Sequence, residues 1–205
     1  LQKARQVRSA STIERILDAA LVTFRAEGFR GAGIAAICKA AGISPGNLYH
    51  YFDSKEDIVA AIVARDRALL TRTVAGLIAR DDPVEAIIAA IIAEPVPGEF
   101  GLDPVMTTEI YAEASRNPVV ARIVQDFARQ THAEVVAMLA MLRDRGLVAK
   151  ETDLAAVAGL LMALVDGILT RRLADRESDP AALADPLRVA IGAVLGVSTK
   201  DDRRD

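Results

Sequence analysis

The sequence predicts an all-α protein of about nine helices, and three observations lead there. Hydrophobic residues fill 52% of the 205 positions, which excludes a globally disordered chain. Aromatics are only 4%, Trp is absent and Ala is abundant, a composition that favours helix over sheet. Ser44-Pro45, Asp82-Pro83, Asp103-Pro104 and Asp179-Pro180 each place a capping side chain before a proline, the chemistry of a helix start.

Taken in order, Ser11-Thr12-Ile13-Glu14 has the form of a capping box, with residues 1–10 left as a flexible basic arm. Ile13, Ile16, Leu17, Ala20, Leu21 and Phe24 then recur at helical spacing until Gly28 stops the first helix. A second, short helix runs from Ile34 to Ala41, with Gly42 placed for a left-handed C-cap. Ser44 caps a third helix reaching Phe52, and Ser54 caps a long fourth one from Lys55 to Ala79. Further helices are expected from Asp82-Pro83 to Glu94, from Asp103-Pro104 to Asn117 and from Val119 to Arg145, the last closed by Gly146. Asp153 caps another to Glu177, and Asp179-Pro180 opens the last, to Leu195. The charged stretch 198–205 is expected to be a disordered tail. The domain division so predicted is 1–54 and 55–197.

Two short helices flanking Gly42-Ile43-Ser44 make a helix–turn–helix. On its second helix Leu48 and Phe52, four apart, face inward with Ile43. Gly46, Asn47, Tyr49 and His50 then face outward, with Tyr51 on the flank. Such a face offers hydrogen-bonding groups, flat rings and a glycine that permits close backbone approach, which is what base edges and phosphates require. Charge agrees. The net charge is −3, yet residues 1–55 carry eight Lys/Arg against four Asp/Glu, leaving the rest acidic. A basic head on an acidic body suits a polyanion engaged at one end.

The stretch from Ile16 to Ile62 resembles the DNA-binding domain of the TetR family of transcriptional regulators. The matching residues are Ala20, Phe24, Gly28, Ile37, Ala40-Ala41-Gly42-Ile43-Ser44, Gly46, Leu48-Tyr49, Phe52, Ser54-Lys55-Glu56 and Ile58. The resemblance implies that the third helix enters the major groove of double-stranded DNA. Pro45, Gly46, Asn47 and His50 would then approach bases, while Tyr49, Tyr51 and Lys55 hold phosphates. In one departure, Ala32-Gly33 stands where family members often have a Ser or Thr cap that also touches phosphate.

The last two long helices are more apolar than one core stripe requires. Leu160, Leu164, Ile168, Leu187, Ile191 and Val194 are the expected interface of a homodimer, by the family's habit of pairing these helices. A two-fold dimer also reads two half-sites of a near-palindromic operator, about 34–36 Å apart. The resemblance further implies a small-molecule inducer held by the middle helices. Met106, Ile110, Glu113 and Asn117 share one helical face; Phe127, His132 and Met138 follow on the next helix, and Phe100 precedes them. Met106, Ile110, Glu113, Asn117, Phe127 and Asp166 are the candidate ligand contacts. For Glu113, ligand contact and structural pairing stand equally open. Asp166, which interrupts Leu160–Leu169, is expected to bridge to Arg171 or Arg172, within the chain or across the dimer.

No catalytic residue, cofactor or metal site is predicted. His50 and His132 form no ligand set with the single cysteine, Cys38, which is expected to be a small buried residue. Gly28, Gly31 and Gly33 do not have dinucleotide-loop order. One cysteine and a polar, basic segment before Ser11 suit the cytoplasm. No membrane association is expected either, because Asp166 breaks the best apolar run. The function so predicted is a ligand-responsive, dimeric DNA-binding repressor. The alternative is an all-α enzyme or small-molecule carrier whose helix–turn–helix is structural only.

Overall fold

The computed structural model describes residues 2–93, 104–175 and 179–196, and the side chains of these from Ser9 onward except that of Pro180. The expected Phe100 position, the loop at residues 95–98 and the tail 198–205 lie outside the described residues. Among those described, every regular element is helical: α1 (Gln2–Gly31), α2 (Ile34–Ala41), α3 (Pro45–Tyr49), α4 (Lys55–Ile78), α5 (Pro83–Ile92), α6 (Pro104–Ala114), α7 (Pro118–Asp144), α8 (Leu154–Ala174) and α9 (Ala184–Leu195). A short 3-10 turn, Pro180–Leu183, precedes α9.

Most predicted caps are in place. Ser44 accepts the Asn47 N–H, Asp82 that of Glu85, Asp179 that of Ala181, and Asp153 those of Ala155 and Ala156. Gly42 adopts the left-handed conformation that ends α2. Several details of the helix ends differ. The first helix begins at Gln2, so Ser11 is an exposed mid-helix residue and not a cap; Gln2–Ala10 contains no Gly or Pro to interrupt it, so helix replaces the expected arm. The capping box is instead at Ser54 and Asp57, where each side chain accepts the other's backbone N–H at 3.1 and 3.0 Å. α6 stops at Ala114 because Asn117 turns to cap α7, its Oδ1 accepting from Val119 N–H at 3.0 Å.

The chain divides into two compact units, and not at residue 54. The first comprises 1–66 and 102–126, the second 67–101 and 127–205. The head therefore includes the start of α4 and all of α6, for an evident reason: Ile58, Val59 and Ile62 are fully buried, as are Met106 and Ile110 to within a few per cent. With Ile16, Leu17, Ala20, Phe24, Ile37 and Leu48 they form the core of this unit. Each of these side chains except that of Ala20 contributes roughly 1.5–3 kcal/mol by leaving water.

The second unit has its own core of Ile88, Met138, Leu139, Leu142, Val148, Ala158, Leu187, Ile191 and Leu195. Arginines finish its helices. Arg172 donates to the carbonyls of Ile91 and Ala93 at the end of α5, and Arg145 to those of Ile78 and Arg80 after α4. A cation at a helix C-terminus satisfies orphan carbonyls and opposes the negative end of the dipole.

Candidate DNA interface

α3 is built to present one side. Ser44 and Pro45 start it, and Leu48, with no exposed surface, and Phe52 anchor it in the head's core. Pro45, Gly46, Asn47, Tyr49 and His50 are all exposed, Tyr49 at 52%, and Tyr51 is half-buried. The helix proper ends at Tyr49, one turn earlier than expected, so His50 and Tyr51 sit in the turn that follows, ring against ring edge at 5.1 Å. A Cβ at Gly46 would meet nothing within 4 Å, so no internal packing demands glycine there. The outward face thus combines an amide, two aromatic rings and a stretch of backbone left open at Gly46.

Lys55, expected at phosphate, is engaged inside the head. Its Nζ donates to the carbonyls of Phe29 at 2.6 Å and Ala32 at 3.1 Å, and lies 4.3 Å from the Phe29 ring centroid. Gly33 begins α2 with no side-chain cap, as the Ala32-Gly33 departure predicts.

The candidate ligand residues are divided between the two units. Met106, Ile110 and Glu113 lie in the unit that contains the head, buried on α6, which packs against α1. Phe127 and Asp166 belong to the other unit. Glu113 is paired structurally, 2.7 Å from Arg116 and 3.5 Å from Arg30. Burial pushes its carboxyl up, but the Arg116 hydrogen bond and the two arginine charges outweigh that and hold it below the usual range. Asn117 donates to Glu56 at 2.9 Å while capping α7.

Asp166 makes no bridge to Arg172, whose guanidinium is bound to the carbonyls ending α5. It lines an open groove with Ala128, Arg129, His132, Gly159, Met162 and Ala163, where partial burial pushes its carboxyl up. His132 contacts the Ala155 carbonyl at 2.9 Å.

The dimer residues separate into two sets. Leu187 and Ile191 are 4% and 5% exposed within the second unit's own core, so they are not free to form an interface. α9 packs on α5, which takes up its apolar stripe. Leu160 is 53% exposed, and Leu164, Ile168 and Val194 are half-buried. α8 is long and apolar enough to cross a membrane by length and composition, yet only 17% of its most apolar stretch is buried in the chain. Cys38 is buried, and burial raises its thiol. No group of three His, Cys, Asp or Glu residues among the described ones is placed to hold a metal ion.

Residues that sequence reasoning missed include Arg15, which donates to the Ala41 carbonyl at 2.6 Å, and Glu109, which accepts the Phe29 N–H at 3.3 Å. Both bonds span more than two dozen positions, and nothing local signals them.

Residues 16–62 match the model of the bacterial regulatory proteins of the tetR family, and residues 104–196 match that of the BetI-type transcriptional repressor C-terminal region. Over 200 residues the chain is 34% identical to the HTH-type transcriptional regulator UidR of Escherichia coli K12, covering 94% of this chain and 97% of that one. It is 28% identical over 171 residues to the HTH-type transcriptional regulator BetI of Brucella canis, covering 82% and 83%. Among solved structures, Salmonella enterica GusR superposes with a TM-score of 0.75 at 28% identity, over 91% of this chain and 96% of that one. With a helix–turn–helix whose outward face is exposed and a match to its relatives over nearly the whole length, the chain belongs to the TetR family and is a ligand-responsive, DNA-binding transcriptional regulator.

Proposed function

We propose that the protein is a homodimeric, cytoplasmic repressor that a small-molecule inducer releases from a near-palindromic operator. The single observation that carries the reading is the outward side of α3 and its following turn: Asn47, Tyr49 and His50 are exposed on a segment whose opposite side is fixed by Leu48 and Phe52. Pro45, Gly46, Asn47 and His50 approach base edges in the major groove, and Tyr49 and Tyr51 hold flanking phosphates. The second copy supports the short recognition helix, since five residues of α3 bury too little DNA surface alone. Leu160, Leu164 and Ile168 of α8, with Val194 of α9, are the surface that pairs the copies. The inducer shifts a population between operator-competent and incompetent states, so operator and inducer must weaken each other by the same factor.

A salt-series titration with DNA from upstream of the protein's own gene tests this, wild type beside Tyr49→Ala. Tight wild-type binding that falls steeply with salt and is lost in the variant is expected. Weak binding, equal in both proteins and indifferent to sequence even after selection from a random pool, would overturn the reading.

A further inference from the structure

The turn that follows Gly28 is held from two sides. At Gly28 the backbone leaves helical geometry, with φ 68° and ψ 168°, and the chain makes one more turn before α2. That break leaves the Phe29 N–H without a helical acceptor, and Glu109 of α6 supplies one. Four residues along the same face of α6, Glu113 reaches Arg30. On the other side Lys55, the first residue of α4, takes the carbonyls of Phe29 and Ala32. The Phe29 ring, 6% exposed, is anchored 5.5 Å from Phe24.

This turn runs straight into α2. Gly33 offers α2 no side-chain cap, so the direction in which α2 leaves is set by this turn together with the packing of Ile37, Cys38 and Ala41 in the head and the Arg15 bond to the Ala41 carbonyl. α3 follows α2 after Gly42, and Lys55 stands just beyond α3. Three side chains that lie off the outward face of α3 therefore hold the entry to the helix–turn–helix, and one of them, Lys55, ties that entry to the start of α4.

We propose that Glu109, Glu113 and Lys55 are positioning residues for DNA recognition: they clasp residues 29–32 and so set the pose in which α2 and α3 meet the duplex. The proposal rests on the reading of α3 as the DNA-contacting helix. It makes an assertion opposite to simple electrostatics. Removing a carboxylate from a DNA-binding head lowers its repulsion for phosphate and should tighten binding. Removing Glu109 should instead loosen it.

The test uses full-length protein and a duplex selected by the wild type from a random-sequence pool. Circular dichroism confirms folding of each variant at the assay temperature. Glu109→Ala is expected to weaken binding about tenfold, the loss of one hydrogen bond to a charged group. Glu109→Gln, which keeps an acceptor oxygen, should recover most of that. Lys55→Met should weaken binding without altering the slope of log affinity against log salt, whereas a lysine on phosphate would reduce that slope by about 0.9. Tightening in both Glu109 variants, or a reduced slope in Lys55→Met, overturns the clasp. Should Glu109→Ala fail to fold, Glu109→Gln and the Lys55→Met slope decide. If the wild type selects no sequence and Tyr49→Ala binds equally, the DNA reading itself falls and the clasp with it. If Tyr49→Ala loses binding while the Glu109 variants do not, only the clasp falls.

Discussion

Replacing Gly28 by alanine is expected to destabilise the protein, while the same replacement at Gly76 stabilises it. Gly28 sits at φ 68° and ψ 168°, a region essentially reserved for glycine, where another residue costs about 1–3 kcal/mol. An added Cβ would also lie 3.2 Å from Glu109 Oε2 and press on the carboxylate that accepts the Phe29 N–H. Against this stands a gain of about 0.4–1 kcal/mol from the less flexible unfolded chain. The net loss is roughly 1–2 kcal/mol. Gly76 is exposed inside α4, and its Cβ would meet nothing within 4 Å. Alanine there should gain about 0.8–1 kcal/mol in helix propensity. Urea unfolding at one fixed protein concentration reads both, since an urea slope of about 2 kcal/mol per molar separates the two midpoints by about 1 M or more. A Gly28→Ala midpoint equal to or above the wild type would refute the argument from backbone geometry.

Asp66, on α4, has a side chain only 12% exposed, with Arg65 Nε 3.9 Å away. Burial pushes its carboxyl up to about 6, against the weaker pull of Arg65. A raised acid binds its proton more tightly folded than unfolded, so its contribution is present below the unfolded value near 3.9 and is lost as pH rises through 6. Asp66→Asn should therefore stabilise the protein by about 2–3 kcal/mol at pH 7.5 and by little at pH 4; a gain equal at both pH values would disprove it. Leu160→Glu, on the exposed side of α8, should convert the proposed dimer to a folded monomer in sedimentation, and a variant that still sediments as a dimer excludes that surface. Leu187→Ala should lower stability by about 2–5 kcal/mol and leave the assembly dimeric; a monomeric product would return α9's buried stripe to the interface.

What could be read from the sequence is what short-range geometry determines. The inward pair Leu48 and Phe52, the Ser44-Pro45 start and the Gly42 stop all act within one or two helical turns, so spacing alone identifies them. Helix existence was equally legible, because caps and prolines act locally. The roles of charged side chains were not. Lys55 has a reach of several ångströms and could serve phosphate or carbonyl; only the return of Phe29 and Ala32 beside it decides. Glu113 and Asp166 are both carboxylates on largely apolar helices, yet one finds two arginines and the other an open groove. Leu187 and Leu160 look alike in a hydrophobic pattern. Which of them is covered depends on how α5, α8 and α9 pack in three dimensions.

The two serine caps on either side of the reading segment have a thermodynamic consequence. Ser44 fixes the entry to residues 45–53, and the Ser54–Asp57 exchange fixes the exit, ten positions later. With Leu48 and Phe52 held beneath, the segment has little conformational freedom left to surrender on the proposed contact with DNA. It is preorganised, so association should proceed without a coupled folding step and with a correspondingly small heat-capacity change.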